Sequence, residues 1–413
     1  MSLQSRLITL RPPKAPASGV SRLVGIDLAR FVAILGMMCV HVWVPDLGTR
    51  LGIRAWSEGN ASTLFAVLGG ISVVLATKRY IDAGDVAAAR WARVGRGAVV
   101  IAIGLTIAFA GSPAIIVLVP FGVALWCAIP FMRAPSWVLA TTATVLGLGS
   151  GVMNAAVRAP MANPQEFGSI SWADLAHPLA VLRGVFSTGM YPVSTWLVYV
   201  LVGMLVGRAM AASERQWRII ALLAVSGAGM TAASVALAEV IYTTVGRSAL
   251  LAAYPGLAAA VPEGTPVDAL LRMPGFGAPS PNWPSLLLDS PHTGTALDIT
   301  RGIGVAFLVI AACMALNAAA SPRVQSLIEP VRAAGAAPLT IYTVHILALA
   351  VGTALAGSGD ASTAPWYAAG PGALALHVGL ALLIGTALAL LHRRGPLEAL
   401  TSAAARRTAR IGL

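Results

Sequence analysis

The segment from Gly25 to Val44, GIDLARFVAILGMMCVHVWV, is a run of about twenty mostly apolar residues. As an α-helix this run rises about 30 Å, which matches the hydrocarbon core of a bilayer. It is therefore predicted to span a membrane. At about 100° per residue, its polar residues Asp27, Arg30 and His41 share an arc of about 60° with Ile34. Because ionisable side chains within a membrane usually face protein or a watery cavity, this arc is predicted to face a site.

The composition of the whole chain argues against a large soluble protein. The chain is 57% apolar and only 11% charged, whereas charged residues make up about a quarter of soluble domains. We therefore expect an all-α, polytopic membrane protein whose surroundings are a lipid bilayer. The net charge of +12 does not indicate nucleic acid as a partner, because the basic residues lie in short loops between apolar runs and at both termini. That distribution is typical of the cytoplasmic segments of membrane proteins.

Ten apolar runs are predicted to cross the membrane, with both termini in the cytoplasm. This arrangement places twenty Lys and Arg residues on the cytoplasmic side and six on the opposite side, and that asymmetry sets the orientation. The predicted location is the plasma membrane. The predicted spans are residues 24–44, 61–77, 95–111, 113–132, 136–153, 192–210, 219–242, 296–318, 334–356 and 372–391.

The chain is predicted to form one membrane domain with a short tail at each end. Residues 1–21 carry basic residues but no apolar core, so we expect a cytoplasmic tail and no cleaved signal peptide. Residues 22–391 form the transmembrane domain, and residues 392–413 form a basic cytoplasmic tail. The oligomeric state stays open, and a homo-oligomer is one possibility.

Three predicted outer segments are long: 45–60, 154–191 and 243–295. The last two are rich in Pro, Gly, Ser and Trp. Loops of such length usually cover a site or contact a ligand, and disorder is the alternative. No tandem repeat is visible, which disfavours a transporter built from two symmetrical halves.

The first candidate site lies on the first span. About 16 Å of helix separates Arg30 from His41, so the two residues cannot form one catalytic pair. They can mark two ends of one tunnel. Arg30, beside Asp27, suits a phosphate-bearing ligand at the cytoplasmic end, and His41 suits a general base or acyl acceptor at the outer end. The alternative is an ion pair between Asp27 and Arg30 that pins the helix, with His41 in a polar contact between helices.

A second candidate site is SPHTGTALDITRG, where the longest outer loop returns to the membrane. Asp298 and Arg301 stand three residues apart on a helix, so an ion pair between them is the simplest interpretation. His292 precedes them just outside the membrane. It is predicted to meet His41 across a cavity, with an ordinary surface histidine as the alternative.

Further histidines differ in their expected roles. His345 lies within the ninth span, on the same face as Tyr342, and its burial in the membrane demands a partner. A role in a functional cavity is therefore expected for His345. We expect His177 to lie on an outer amphipathic segment, and we interpret His377 and His392 as interfacial residues.

The remaining signals each allow two interpretations. The basic loop from Lys78 to Arg96 fits topology and lipid contact, or attraction of a polyanionic ligand such as coenzyme A. Glu58, Gly59 and Asn60 precede the second span and are expected to cap it, Asn60 being a good N-cap type; a substrate contact is the alternative. The cysteines show no metal-ligand spacing, and no metal site is predicted. No P-loop, GxSxG or HExxH motif occurs.

The opening RLVGIDLARFVAILGMMCVHVW resembles the first helix of the transmembrane acyltransferases related to heparan-α-glucosaminide N-acetyltransferase, and more closely that of their bacterial YeiB-like relatives. Further matches follow in the same order along most of the chain. They are LFAVLGGIS, YPVSTWLVYVLVGMLVGR, SPHTGTALDITRGIGVAFLVIAACMAL, AAGAAPLTIYTVHIL and RRGPLEAL. Phe31 stands where the family usually has glycine, and the loop after the first helix lacks the histidine that is catalytic in the lysosomal enzyme.

This resemblance implies an enzyme that moves an acetyl or other acyl group from a cytoplasmic acyl-CoA to a hydroxyl or amine of a sugar-type acceptor at the outer face. The competing hypothesis is a small-solute transporter or channel that uses the same histidines for binding or proton relay. The candidate residues are His41, His345 and His292 for catalysis, Asp27 and Arg30 for binding acyl-CoA, and Asp298, Arg301, Glu58 and Asn60 for binding the acceptor.

Overall fold

The computed structural model describes residues 18–43, 52–161, 166, 168–253, 267–272, 286, 288–357 and 364–410. All regular structure in these residues is helical, which confirms the predicted fold class. The α-helices are α1 (Ser18–Val42), α2 (Ile53–Ser57), α3 (Asn60–Asp82), α4 (Val86–Ile107), α5 (Leu118–Cys127), α6 (Ser136–Arg158), α7 (Pro178–Arg183), α8 (Val193–Ala212), α9 (Gln216–Ile241), α10 (Arg247–Ala253), α11 (Val267–Arg272), α12 (Ala296–Ala319), α13 (Pro322–Leu327), α14 (Glu329–Ala336), α15 (Pro338–Ala356), α16 (Gly370–Leu390) and α17 (Pro396–Ala409).

Within the described residues, nine helices are long and apolar enough to cross a membrane. Their outward faces carry large exposed apolar side chains, such as Leu148 on α6, Val225 on α9 and Leu383 on α16. Such faces suit lipid and not water. The chain is therefore a multi-pass membrane protein. The nine segments are Val24–Val42, Asn60–Asp82, Val86–Ala110, Ser136–Arg158, Val193–Ala212, Gln216–Ala253, Ala296–Ala319, Pro338–Ala356 and Gly370–Leu390.

The predicted span 113–132 contains a shorter helix than expected. Helix α5 has 10 residues, which rise about 15 Å, and a 3₁₀ turn from Ile129 to Met132 follows it. Pro120 and Pro130 explain where α5 begins and ends, because proline fits only the first turn of an α-helix and cannot donate a backbone hydrogen bond. The helix lies along α4, where Trp126 Nε1 donates to the Val94 carbonyl at 3.0 Å. The count of ten spans and the orientation of the termini stay predictions.

The longest predicted outer loop is only partly described. Its described parts include α10 and α11, whose Leu250 and Leu271 are buried together with Tyr242 and Leu288. Residues 1–17 of the predicted N-terminal tail and residues 45–51 of the predicted loop 45–60 lie outside the described residues, whereas residues 18–21 belong to α1.

The centre of the bundle contains α1, α3, α8 and α12. Helices α3 and α8 cross so closely that a Cβ added to Gly203 would collide with the Val67 carbonyl, and one added to Gly70 would collide with the Val200 carbonyl. Small residues at such crossings let two backbones approach, which is the usual basis of packing between membrane helices. This crossing fixes the positions of α3 and α8, which both face the cavity beside His292 that is described below.

The last helix, α17, joins the start of α15 to the start of α4. Glu398 accepts backbone hydrogen bonds from Leu339 at 2.6 Å and Thr340 at 3.1 Å, so a side chain of α17 caps α15. On its other side α17 buries small residues against α4, namely Ala405 and Ala409 with Ala88 and Ala92. The starts of α4, α15 and α17 therefore lie at one end of the bundle.

We predict that Gly203→Ala destabilises the protein, because the new methyl group meets a backbone carbonyl of α3 that cannot move away alone. Overpacking of this kind lowers the free energy of unfolding by about 1–3 kcal/mol. Thermal unfolding in detergent measures the effect as a lower apparent melting temperature. The matched control is Gly229→Ala on α9, where nothing lies within 4 Å of the added Cβ. An equal melting temperature for the two variants would contradict the prediction.

Candidate functional site

Three histidines from three helices form a row at one end of the bundle. His41 Nδ1 of α1 lies 2.8 Å from His345 Nε2 of α15, and His345 Nδ1 lies 2.9 Å from His377 Nδ1 of α16. The first two rings are nearly parallel, 8° apart with centroids 5.1 Å apart, and the second pair meets edge to face at 4.5 Å. His345 and His377 are each only 2% exposed. The row therefore joins α1, α15 and α16 through two hydrogen bonds.

The prediction that His377 is interfacial is wrong. Its ring is buried because His345, another membrane histidine, reaches it and supplies a hydrogen-bond partner. The sequence did contain a signal, since His377 interrupts the apolar segment GPGALALHVGLALLIGTALAL. The argument that selected His345, an ionisable residue within an apolar span, applies equally to His377. His392, just beyond α16, is exposed.

A cavity of about 30 Å³ lies beside the histidine row. His41 and His292 both line it, as the sequence predicted, and so do Tyr191 and Tyr342. His345 does not line the cavity, because it lies behind His41. The structure thus brings two of the three predicted histidines to one cavity and places the third in contact with His41.

His292 is held in place by a constrained loop. Its backbone has a φ of 64°, and its ring meets the Tyr191 ring edge to face at 5.5 Å. Next to it, the Gly294 amide donates to Asp298 Oδ2 at 3.1 Å, and Thr295 caps α12 by accepting from the Asp298 amide. Burial, together with the charge of Arg301, lowers the pKa of His292 to about 4. Its imidazole is therefore neutral at pH 7, with one nitrogen able to donate and one able to accept.

The predicted ion pair of Asp298 and Arg301 is present at 3.2 Å. A second cavity of about 20 Å³ adjoins the first, and His292 lines both. Asp298 lines this second cavity together with Thr195 and Tyr199. The Asp298 carboxylate thus both orders the loop that carries His292 and faces the second cavity.

Glu58 and Asn60 flank the cavity without lining it, whereas Ser57 and Gly59 do line it. Of the three residues predicted to cap the second span, Glu58, Gly59 and Asn60, it is Gly59 and not the favoured Asn60 that holds the N-cap position. Asn60 is the first residue of α3. The Asn60 side chain donates back to the Trp56 carbonyl at 2.8 Å, so it is committed to the preceding turn.

At the opposite end of α1, the predicted ion pair of Asp27 and Arg30 is present at 2.5 Å. Arg30 also donates to Ser72 Oγ of α3 at 2.8 Å. Arg332 approaches the other carboxylate oxygen of Asp27 at 3.6 Å. One carboxylate therefore holds two guanidinium groups, and Arg30 keeps a fixed position.

A cavity of about 120 Å³ lies beside Arg30 and is also lined by Arg93, Arg96 and Glu398. Arg93 is only 5% exposed. Neither its Nε nor that of Arg96 has a hydrogen-bond partner among the described residues. Buried guanidinium groups require compensation, which a bound anion would supply. The donor set therefore fits a phosphate or another oxyanion.

Arg93 and Arg96 correct the prediction of a basic loop from Lys78 to Arg96. Most of that segment is helical, because α4 begins at Val86 after the Asp85 carboxylate caps it by accepting from the Ala88 amide at 2.9 Å. The helix turns Arg93 and Arg96 toward the interior, beside Arg30. The sequence predicted that Arg93 and Arg96 lie at the same end of the protein as Arg30, but it did not predict that they line a cavity.

The predicted tunnel along α1 is divided into separate cavities. Val117 lines the cavity of His41, and the next residue, Leu118, lines the cavity of Arg30. Phe121, which lines the cavity of Arg30, has its ring 6.0 Å from that of Trp196, which lines the second cavity beside His292. The two ends of α1 thus carry two chemically different sites, separated by a thin apolar layer.

A family model described as heparan-α-glucosaminide N-acetyltransferase, catalytic, matches residues 22–239. This range is slightly more than half of the 413 residues. The chain belongs to this family. Comparison with curated proteins gives no match. The family match contains His41, Arg30, Arg93 and Arg96, whereas the partners of His41 in the histidine row lie beyond it.

For this member of the heparan-α-glucosaminide N-acetyltransferase family, we predict that acid destabilises the fold partly through His292. An unfolded histidine takes up a proton near pH 6.5, whereas the folded His292 does so near pH 4. Since the unfolded chain binds the proton first, the contribution of neutral His292 is complete above pH 6.5 and is lost as the pH falls toward 4. Melting temperatures from pH 7 to pH 4.5 should fall less steeply for His292→Asn than for the unmodified protein.

Asn is the suitable replacement because it tolerates a positive φ and does not titrate. His392→Asn is the control, since that residue also has a positive φ but is exposed. Parallel pH profiles for His292→Asn and the unmodified protein would rule out this contribution.

Proposed function

We propose that the protein is a membrane acyltransferase that moves an acetyl or other acyl group from cytoplasmic acyl-CoA to a hydroxyl or amine of a sugar-type acceptor at the outer face. One observation carries the proposal: an arginine-lined cavity lies at one end of α1, and a histidine-lined cavity lies at the other. The family supplies the reaction class. The positions of the Lys and Arg residues favour a YeiB-like topology with the Arg30 end in the cytoplasm.

Acyl-CoA would bind at the Arg30 end. Its phosphate groups would pair with the guanidinium groups of Arg30, Arg93 and Arg96, two of which have a buried Nε without a partner in the described residues. Asp27 keeps Arg30 in place without filling the cavity. A volume of about 120 Å³ holds only part of the donor, so the rest lies outside it. The thioester arm would pass the Phe121 ring to reach the other cavity.

The transfer itself would occur at His41. Its Nδ1 contacts His345, which leaves Nε2 to take the proton from the acceptor hydroxyl or amine. The acceptor oxygen or nitrogen forms a bond to the thioester carbonyl carbon, the carbon–sulfur bond breaks, and the coenzyme A thiolate receives the proton. In the covalent variant, His41 Nε2 first carries the acyl group and the acceptor then removes it. His292, on the other side of the cavity, would bind the acceptor or the carbonyl oxygen.

The acceptor would enter beside His292. Asp298 and Arg301 suit recognition of sugar hydroxyls, and Glu58 and Asn60 lie next to residues that line the first cavity. Both cavities are far smaller than a sugar, at about 30 Å³ and 20 Å³. Binding therefore requires movement of the side chains or loops around His292.

We predict that His41→Ala lowers acetyl transfer at least about 100-fold, because removing a general base or an acyl carrier typically has an effect of that size. The assay incubates purified protein with labelled acetyl-CoA and a panel of amino sugars that includes methyl α-glucosaminide. His177→Ala, at an exposed histidine with a negative φ, is the matched control. Full transfer by His41→Ala would exclude His41 from the chemistry, and solute flux into proteoliposomes without any transfer would favour a transporter instead.

We predict that Arg93→Gln raises the KM for acetyl-CoA by about 10-fold or more with little change in kcat, since a charge-assisted hydrogen bond contributes about 1.5–3 kcal/mol. Arg90→Gln on the same helix is the control, because Arg90 is exposed and does not line the cavity. Steady-state kinetics and direct titration with coenzyme A measure the two effects. Equal KM values for the two variants would place the donor elsewhere.

A further inference from the structure

In the row of His41, His345 and His377, the tautomers of three imidazole rings depend on one another. Each of its two hydrogen bonds contains one proton, and a neutral imidazole carries one proton on its two nitrogens. His345 uses both of its nitrogens in the row, so it donates in one contact and accepts in the other. The choice of protonated nitrogen in one ring therefore determines which nitrogen is protonated in the other two rings.

Two proton arrangements satisfy the row. In the first, His41 Nδ1 donates to His345 Nε2, and His345 Nδ1 donates to His377 Nδ1, which leaves His41 Nε2 unprotonated. In the second, every hydrogen bond is reversed, and His41 Nε2 carries a proton. In the first arrangement His41 Nε2 can accept a proton as a base, and in the second it can donate one as an acid. The two arrangements differ at His377 in whether its Nδ1 accepts or donates.

We propose that His377 is the terminal proton acceptor of the row and stores the substrate proton during acyl transfer, acting on the substrate only through His345 and His41. This inference rests on the proposed function. It extends the site beyond the cavity to a residue of α16, the only ionisable residue between Gly370 and Leu390.

The proton movements balance without any further reactant. The acceptor O–H or N–H bond breaks as His41 Nε2 takes its proton. His41 Nδ1 passes its proton to His345 Nε2, and His345 Nδ1 passes its proton to His377 Nδ1. His377 then carries protons on both nitrogens and a positive charge, while the acceptor adds to the thioester. When the carbon–sulfur bond breaks, the same transfers run in reverse and His41 Nε2 delivers the proton to the thiolate.

The distances support such transfers, because heavy-atom separations of 2.8 Å and 2.9 Å are those of good hydrogen bonds. The simpler interpretation is that the three rings only satisfy one another and hold three helices together. The two interpretations differ in what His377 must do. A structural role requires a hydrogen-bond partner for His345 Nδ1, whereas storage requires a group that can accept its proton.

His377→Asn separates these roles. The Asn carboxamide oxygen can accept from His345 Nδ1, as His377 does, but it cannot take up the proton. Under single-turnover conditions with acetyl-CoA and methyl α-glucosaminide, we expect His377→Asn to lower the transfer rate about 10-fold to 100-fold with an unchanged affinity for acetyl-CoA. His392→Asn is the control. A wild-type rate for His377→Asn would overturn the proposal, since a partner alone would then suffice.

Mixtures of H₂O and D₂O provide the readout that a structural role would not change. Because several protons move together, a plot of the transfer rate of the unmodified protein against the deuterium fraction should be curved. The curvature should decrease in His377→Asn, where the relay ends at His345 and one proton fewer moves. A linear dependence in the unmodified protein would overturn the proposal.

Failure of the proposed function is distinguishable from failure of the relay. If no amino sugar is acetylated, the proposed function fails, and ¹⁵N spectra of histidine-labelled protein decide the relay alone. Exchange between the two proton arrangements should give averaged shifts for the two His345 ring nitrogens. These shifts should separate in His377→Asn. Separate shifts already in the unmodified protein would show a fixed arrangement and would overturn the relay.

Discussion

A polar side chain buried in a membrane bundle has to find its partner within the bundle, and this constraint determines how the helices around the site are arranged. The contact of His41 with His345 joins α1 to α15, and that of His345 with His377 adds α16. At the other end, Glu398 joins α17 to α15 by the same rule. The residues that hold these helices together are also those with chemical capability, so structure and site share one set of contacts.

Most of the fold was predictable because membrane spans are long and uniform. Nine predicted spans coincide with helices to within a few residues at most of their ends. The main difference is α4, predicted from residue 95, which begins at Val86. Its first turns carry the exposed Arg90 and the cavity-lining Arg93 and Arg96, and an apolar pattern does not detect a helix that begins with charged residues. Helix α5 is short because two prolines limit it, which average hydropathy does not register.

Among the parts of the candidate site that were predictable are the contacts between residues of one helix. The ion pairs of Asp27 with Arg30 and of Asp298 with Arg301 follow from helical spacing, and both are present. The contacts between helices required the fold. His377 and Arg93 acquire their surroundings from α15 and from α1 with α3, which are distant in sequence. The meeting of His41 and His292 was predictable because each stands at the same end of a span.

The cap that Glu398 provides to α15 bears on the order in which the protein is assembled. Glu398 and Thr401 also line the cavity of Arg30, and both belong to α17, which follows all of the membrane helices in the chain. The wall of that cavity is therefore completed only after the ribosome has made the last of these helices and α17 has folded back. A nascent chain in which the preceding helices have inserted but α17 has not yet formed therefore lacks this wall of the cavity.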